Sequence, residues 1–111
     1  MKTRLFGLLL LGAWAAVPAY AQGDAKLGEK IYAEQKCAMC HSIGGKGNAK
    51  GPLDDVGSRL SAAEIREWIV DAPGMTAKTK AARKPPMKSY TSLSKEQVDA
   101  LVAYMQTLKK K

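Results

Sequence analysis

Cys37-Ala38-Met39-Cys40-His41 is the stretch whose reading decides what fold this chain can adopt. Two thiols three positions apart can add to the two vinyl groups of one porphyrin, and the next residue sets an imidazole beneath the iron. The pattern C-x-x-C-H therefore points to covalent haem attachment. The competing chemistries each lack a part. A zinc site needs about four ligands, and Cys37, Cys40 and His41 are the only cysteines and the only histidine of the sequence. A thioredoxin-like redox pair requires a βαβ context, and none is visible. A disulfide between Cys37 and Cys40 would close a very short loop and stabilise little.

The flanks of this stretch are helical on one side and irregular on the other. Asp24 can cap a helix from Ala25 to Gln35, with Leu27 and Ile31 four apart and Gly28 and Tyr32 on a neighbouring face. From Ser42 to Gly57 the glycines Gly44, Gly45, Gly47, Gly51 and Gly57, together with Pro52, interrupt any helical or strand period, so this segment reads as a loop. Two further helix starts are written almost alike. Leu60-Ser61-Ala62-Ala63-Glu64-Ile65 and Leu93-Ser94-Lys95-Glu96-Gln97-Val98 each combine a capping box with a hydrophobic staple. The second helix carries Ile65, Trp68 and Ile69 on one face and stops by Pro73. The third carries Val98, Leu101, Val102, Met105 and Leu108 at spacings of three and four. Between them, Gly74 to Ser92 shows no period and reads as a long, functional loop. No segment alternates apolar and polar residues for long, so no significant sheet is expected.

The N-terminus belongs to a different kind of signal. Lys2 and Arg4 precede an uncharged apolar run from Leu5 to Val17, followed by Pro18 and the small-residue site Ala19-Tyr20-Ala21. Residues 1–21 are expected to be a secretory signal peptide cleaved after Ala21, because the apolar run falls short of the roughly 20 residues that a spanning helix needs; an uncleaved anchor is the main alternative. The mature chain, 22–111, is then a single exported, periplasmic domain without a membrane span. A domain of this size buries only about two thirds of its unfolded surface, and a large apolar cofactor would supply the missing core. Removal of Lys2 and Arg4 takes the formal charge from +8 to about +6, which favours acidic protein partners. Export and the lack of a basic helix with interleaved aromatics disfavour nucleic acid.

One histidine excludes bis-histidine ligation within the chain and leaves methionine, a weaker group or nothing as the sixth ligand. Met1 leaves with the signal peptide, Met39 lies inside the attachment motif, and Met105 sits on the apolar face of the last helix. Met75 and Met87 remain, both in the long loop. Met87 is favoured, since Pro85-Pro86 before it stiffens the approach and removes two backbone donors.

Taken together, Gly28-x-x-x-Tyr32, Cys37-Ala38-Met39-Cys40-His41, Gly51-Pro52-Leu53 with Val56-Gly57, Pro86-Met87 and Leu101-Val102-Ala103-Tyr104-Met105 occur in an order and spacing that resembles the class I c-type cytochromes. The resemblance covers essentially the whole mature chain. It implies an all-α fold of three main helices around one covalently bound haem c, with His41 and Met87 as iron ligands. It also implies that the first and last helices cross with Gly28 against Tyr104, and that the Pro52 carbonyl accepts a hydrogen bond from the other ring nitrogen of His41, fixing the ring and raising its basicity. Trp68 is similar to a residue that donates to a haem propionate in some members, while its spacing with Ile65 and Ile69 equally makes it core. The lysine-, threonine- and alanine-rich segment from Met75 to Arg83 departs from the family pattern.

A His/Met iron has no open position for substrate. A monomeric electron carrier is therefore expected rather than an enzyme, and methionine ligation raises the potential relative to bis-histidine sites. Lys78, Lys80, Arg83, Lys84 and Lys88, with no acidic residue between Asp71 and Glu96, could steer an acidic reductase or oxidase to the haem edge. Lys109-Lys110-Lys111 is expected to be a frayed helix end. The alternatives are a five-coordinate haem sensor or weak peroxidase, for which no second histidine could act as acid or base, and a haem subunit of a larger redox complex.

Overall fold

Asp24 does what its position predicts: its carboxylate accepts from the amides of Lys26 and Leu27 at 2.9 and 3.2 Å, starting α1 (Ala25–Glu34). The structure is a computed structural model and describes residues 23–110; the expected signal peptide, 1–21, lies outside them. Beyond α1 the chain turns through Lys36, in the left-handed conformation, into a short 3₁₀ turn over Cys37–Met39. A minimal hairpin of β1 (Ser42–Ile43) and β2 (Lys46–Gly47) follows, paired antiparallel with Ser42 opposite Gly47. Gly44 and Gly45 both have positive φ, the backbone that a two-residue hairpin loop requires. This is the whole sheet among the described residues, so the architecture is the all-α one expected.

A one-turn helix α2 (Val56–Arg59) leads to α3 (Ala62–Val70), and the last helix is α5 (Lys95–Gln106). Both predicted capping boxes are present. Ser61 accepts from the Glu64 amide and Ser94 from the Gln97 amide, each at 3.1 Å, and the Glu64 and Gln97 side chains return the bond.

The long loop is not wholly a loop. Residues 72–79 form α4 (Ala72–Thr79), which begins where Pro73 was expected only to stop its predecessor. Proline is tolerated in the first helical turn, where its missing N–H has no partner to lose, and Asp71 ends α3 while its side chain accepts from the Gly74 amide. The basic tail also differs. After Gln106 the chain leaves the helix, and the amide of Lys110 donates to Ser58 Oγ at 2.8 Å while the Leu108 carbonyl accepts from the Gly57 amide at 2.7 Å. The tail through Lys110 is thus fastened to α2 rather than frayed.

The core is built on the crossing of α1 and α5. Ile31 and Tyr32 meet Ala100, Leu101 and Val102, with Val56, Ile65, Ile69, Val98 and Met105 completing the cluster. Gly28 permits this approach: a Cβ there would overlap the Ala100 carbonyl and the Tyr104 Cβ. Arg66 on α3 bonds the buried carboxylate of Asp99 on α5 at 2.6 Å, tying the two helices together, and Lys95, one turn earlier on α5, bonds the same carboxylate at 2.9 Å. Burial alone would raise the Asp99 pKa, but these two bonds outweigh it and hold the carboxyl below its usual range. No helix among the described residues is long and apolar enough to cross a membrane.

Candidate functional site

Because α1 ends at Glu34 and the chain reverses at Lys36, the attachment motif is presented at the edge of the core rather than within it. Cys37 is half-buried and packs on the core cluster, while Cys40 is exposed; neither forms a disulfide. Burial pushes the Cys37 thiol up to about 11, so it stays neutral at ordinary pH. His41 follows directly, and its Nδ1 lies 3.0 Å from the Gly51 carbonyl oxygen. Burial lowers the His41 pKa, with the Gly51 bond working against it and the Arg83 guanidinium adding to it.

Here the expectation for Pro52 is corrected. The carbonyl that engages His41 belongs to Gly51, one residue earlier. The physical reason is the parallel bridge between Ser42 and Pro52, which turns the Gly51 carbonyl toward both the His41 ring and the Ser42 amide, the latter also at 3.0 Å. Pro52 instead lines the cavity that His41 faces. Since Nδ1 is engaged, the other ring nitrogen, Nε2, is the one left for a ligand.

That cavity measures about 820 Å³ and collects residues from almost every element. Cys37, Cys40 and His41 border it on one side; Trp68 and Ile69 of α3 and Leu101 and Met105 of α5 form apolar walls; Pro85, Pro86 and Met87 close another part. Met87 is therefore brought to the same space as the motif. Met75 is not: it is 5% exposed, held in α4, and lines none of the cavity. Met39, 70% exposed, and Met105 also border the cavity, the first within the motif and the second as part of the packed face of α5.

The segment carrying Met87 is pinned behind it. The Tyr90 amide donates to the Ile69 carbonyl at 2.8 Å, and Ser89 Oγ accepts from the Ala72 amide at 3.0 Å. Tyr90 itself lines the cavity, with the Lys88 ammonium 5.2 Å from its ring centre. Neither contact was anticipated from the sequence; an aromatic residue isolated in a polar loop was the available sign. Gly51 was passed over for a plainer reason, since a backbone acceptor has no side chain to betray it.

The charges around the cavity are one-sided. Lys36, Lys50, Arg59, Arg83 and Lys88 line it and no carboxylate does. Arg59 has its own partner in Asp55 at 2.7 Å, while no ion pair among the described residues involves the other four. Two thiols, an imidazole with one nitrogen engaged, a thioether, apolar walls and a cationic lining suit a large, flat, mostly apolar group that carries carboxylates and a soft metal. The residues present thus fit a haem in volume, donor chemistry and charge.

Comparisons with known proteins agree. Residues 25–109 match the family model described as Cytochrome c. The chain is also 30% identical over 107 residues to a protein of Alkalihalophilus pseudofirmus named cytochrome c oxidase subunit 2, with 88% of this chain and 30% of that protein covered. The chain therefore spans about a third of the length of the curated relative it matches. No solved structure matches the chain significantly.

Proposed function

This chain belongs to the cytochrome c family, and we propose that it is an exported single-electron carrier whose haem is bonded through Cys37 and Cys40, with the iron held between His41 and Met87. The observation that carries the reading is the convergence of these four side chains on one apolar cavity. The haem supplies the redox chemistry, and the protein supplies attachment, orientation and environment. Attachment needs no oxidant, because each S–H adds across a vinyl C=C with every atom retained. The burial that disfavours a Cys37 thiolate is compatible with the neutral thioether that results. The Gly51 carbonyl holds the His41 ring in one orientation and leaves Nε2 for the iron. Met87, approached through Pro85-Pro86, offers a neutral sulfur that favours the reduced metal. The apolar walls from Ile65, Ile69 and Leu101 exclude water, which acts in the same direction.

With both axial positions filled and no second histidine to move protons, the chain carries electrons rather than catalysing a bond change. Lys78, Lys80, Arg83, Lys84 and Lys88 are all exposed and take part in no ion pair among the described residues, which supports recognition of an acidic partner protein. The relative is by name a cytochrome c oxidase subunit, and this supports an oxidase as the electron acceptor. Because that relative is much longer, a second reading is a haem subunit bound within an oxidase-like complex. Purification from the native periplasm would separate the two: a free carrier elutes as a monomer, a subunit with its complex.

The test of ligation is a pair of variants. Met87→His is expected to keep the haem but to lose the weak long-wavelength sulfur-to-iron band of the ferric spectrum and to lower the reduction potential, whereas Met75→Leu leaves both unchanged. The reverse pair of results would transfer the ligand role to Met75.

A further inference from the structure

Arg83 stands apart from the other arginines of the described chain. Arg59 is paired with Asp55 and Arg66 with Asp99, whereas no ion pair among the described residues engages Arg83. Its guanidinium nevertheless has a definite place. Arg83 lines the large cavity, and its Nη1 occupies the space beside Gly51 where a side chain at that position would begin. The Cys40 carbonyl oxygen crowds the same point, and His41 Nδ1 is 3.0 Å from it. Only a glycine leaves room there, so the guanidinium, the ring nitrogen and the backbone of residue 51 gather within a few ångströms of one another.

That neighbourhood sets two opposing influences on one ring. The Gly51 carbonyl, 3.0 Å from Nδ1, turns the negative end of its dipole to the imidazole and raises its basicity as a ligand. The Arg83 charge acts against it. Electron density given to a metal from Nε2 leaves the ring more positive, and a cation beside Nδ1 opposes that change. Arg83 is exposed as a residue, so water screens much of its charge, and only closeness leaves a measurable effect. The path of the chain supplies the closeness: Arg83 lies between α4 and the cavity-lining run Pro85-Pro86-Met87, in the segment that carries the second axial candidate.

Resting on the haem reading above, we infer that Arg83 is a positioning residue acting through His41: lodged against Gly51, its guanidinium weakens the imidazole as a donor and so favours ferrous over ferric iron. The same cation opposes the added positive charge of the ferric state directly, so both influences have one sign. One segment thereby governs both axial positions, one through the Met87 sulfur and the other at one remove through Arg83. Surroundings of this kind, beyond the ligands themselves, are a lever that a protein holds on the potential of a haem.

The experiment is a redox titration of haem-loaded Arg83→Gln, Arg83→Lys and Lys46→Gln beside the parent protein, with the His41 Nδ1–H resonance of each ferrous protein recorded by nuclear magnetic resonance. Arg83→Gln should lower the ferrous-to-ferric ratio at a fixed ambient potential about threefold, a fall of about 30 mV at 59 mV per decade for one electron, and should move the Nδ1–H resonance. Arg83→Lys keeps the charge and should stay closer to the parent than to Arg83→Gln. Lys46→Gln removes the same charge from β2, outside the large cavity, and should match the parent in both readouts. Because Arg83 is exposed, its variants should unfold at nearly the parent's midpoint. Equal potentials for Arg83→Gln and parent would overturn the proposal. So would the same shift in Lys46→Gln, an Arg83→Lys protein that shifts as far as Arg83→Gln, or a shifted potential with an unmoved Nδ1–H resonance; each of these leaves the haem reading standing. A parent protein that carries no haem in its absorption spectrum would overturn the functional reading itself, and this inference with it.

Discussion

Replacing Gly28 by alanine sets two opposing effects against each other, and the structure says which wins. On propensity alone the change should stabilise α1 by about 0.5–1 kcal/mol, because glycine loses the most conformational freedom in a helix. The new methyl group would, however, overlap the Ala100 carbonyl and the Tyr104 Cβ. Both obstacles are close to or part of the α5 backbone, so neither can swing aside as a side-chain tip would. The helices must separate, and Ile31, Leu101 and Val102 lose close packing along with them. Overpacking of this kind costs about 1–3 kcal/mol, so a net loss of about 1–2 kcal/mol is expected. For a domain of this size that is a fall of roughly 5–15 °C in the unfolding midpoint, at about 4–8 °C per kcal/mol. Thermal unfolding of the haem-loaded protein, followed by far-UV circular dichroism, reads it directly. A Gly28→Ala protein as stable as the parent, or more so, would show that the crossing is not tight and that propensity governs the position.

Two further outcomes follow from the charges. The Asp99 carboxyl is held below its usual range by Lys95 and Arg66, so its contribution to stability is full above the unfolded-state pKa and is lost as pH falls below about 4; Asp99→Asn should lower stability at neutral pH and flatten the acid limb of the stability profile. An acid limb unchanged by that substitution would remove Asp99 from the account. Reversing Lys80 and Lys84 to glutamate should slow electron transfer to an acidic partner, with the parent rate itself falling as salt shortens the Debye length from about 30 to 10 Å. Reversal of Lys109 and Lys110 alters net charge equally, and equal slowing by both pairs would show that net charge, not a local docking surface, sets the rate.

The parts of this molecule that were legible in its sequence are those governed by neighbours a few residues apart. Ser61 with Glu64 and Ser94 with Gln97 place two helix starts, because a capping box is complete within one turn. The C-x-x-C-H run places its thiols and imidazole together by covalent spacing alone, and a lone histidine limits the ligand set by counting. Gly28 was readable as a close contact only through the resemblance, since the partner it spares, Ala100, is far along the chain.

What the tertiary structure decided are the pairings between distant segments. Pro73 carries the same local restriction whether it ends one helix or begins the next, and the Asp71 side chain over Gly74 settles that it begins α4. A linear reading favours Met87 over Met75 only through Pro85-Pro86; burial of Met75 in α4, and placement of Met87 on the cavity with Ser89 and Tyr90 anchored behind it, exist only in the tertiary structure. The acceptor for His41 is Gly51 rather than Pro52 because a backbone bridge between Ser42 and Pro52, ten residues apart in the chain, rotates one carbonyl and not its neighbour toward the ring. Side-chain type and spacing encode local hydrogen bonds, whereas the direction of a carbonyl, the wall of a cavity and the seating of Arg83 against Gly51 exist only once the chain has closed on itself.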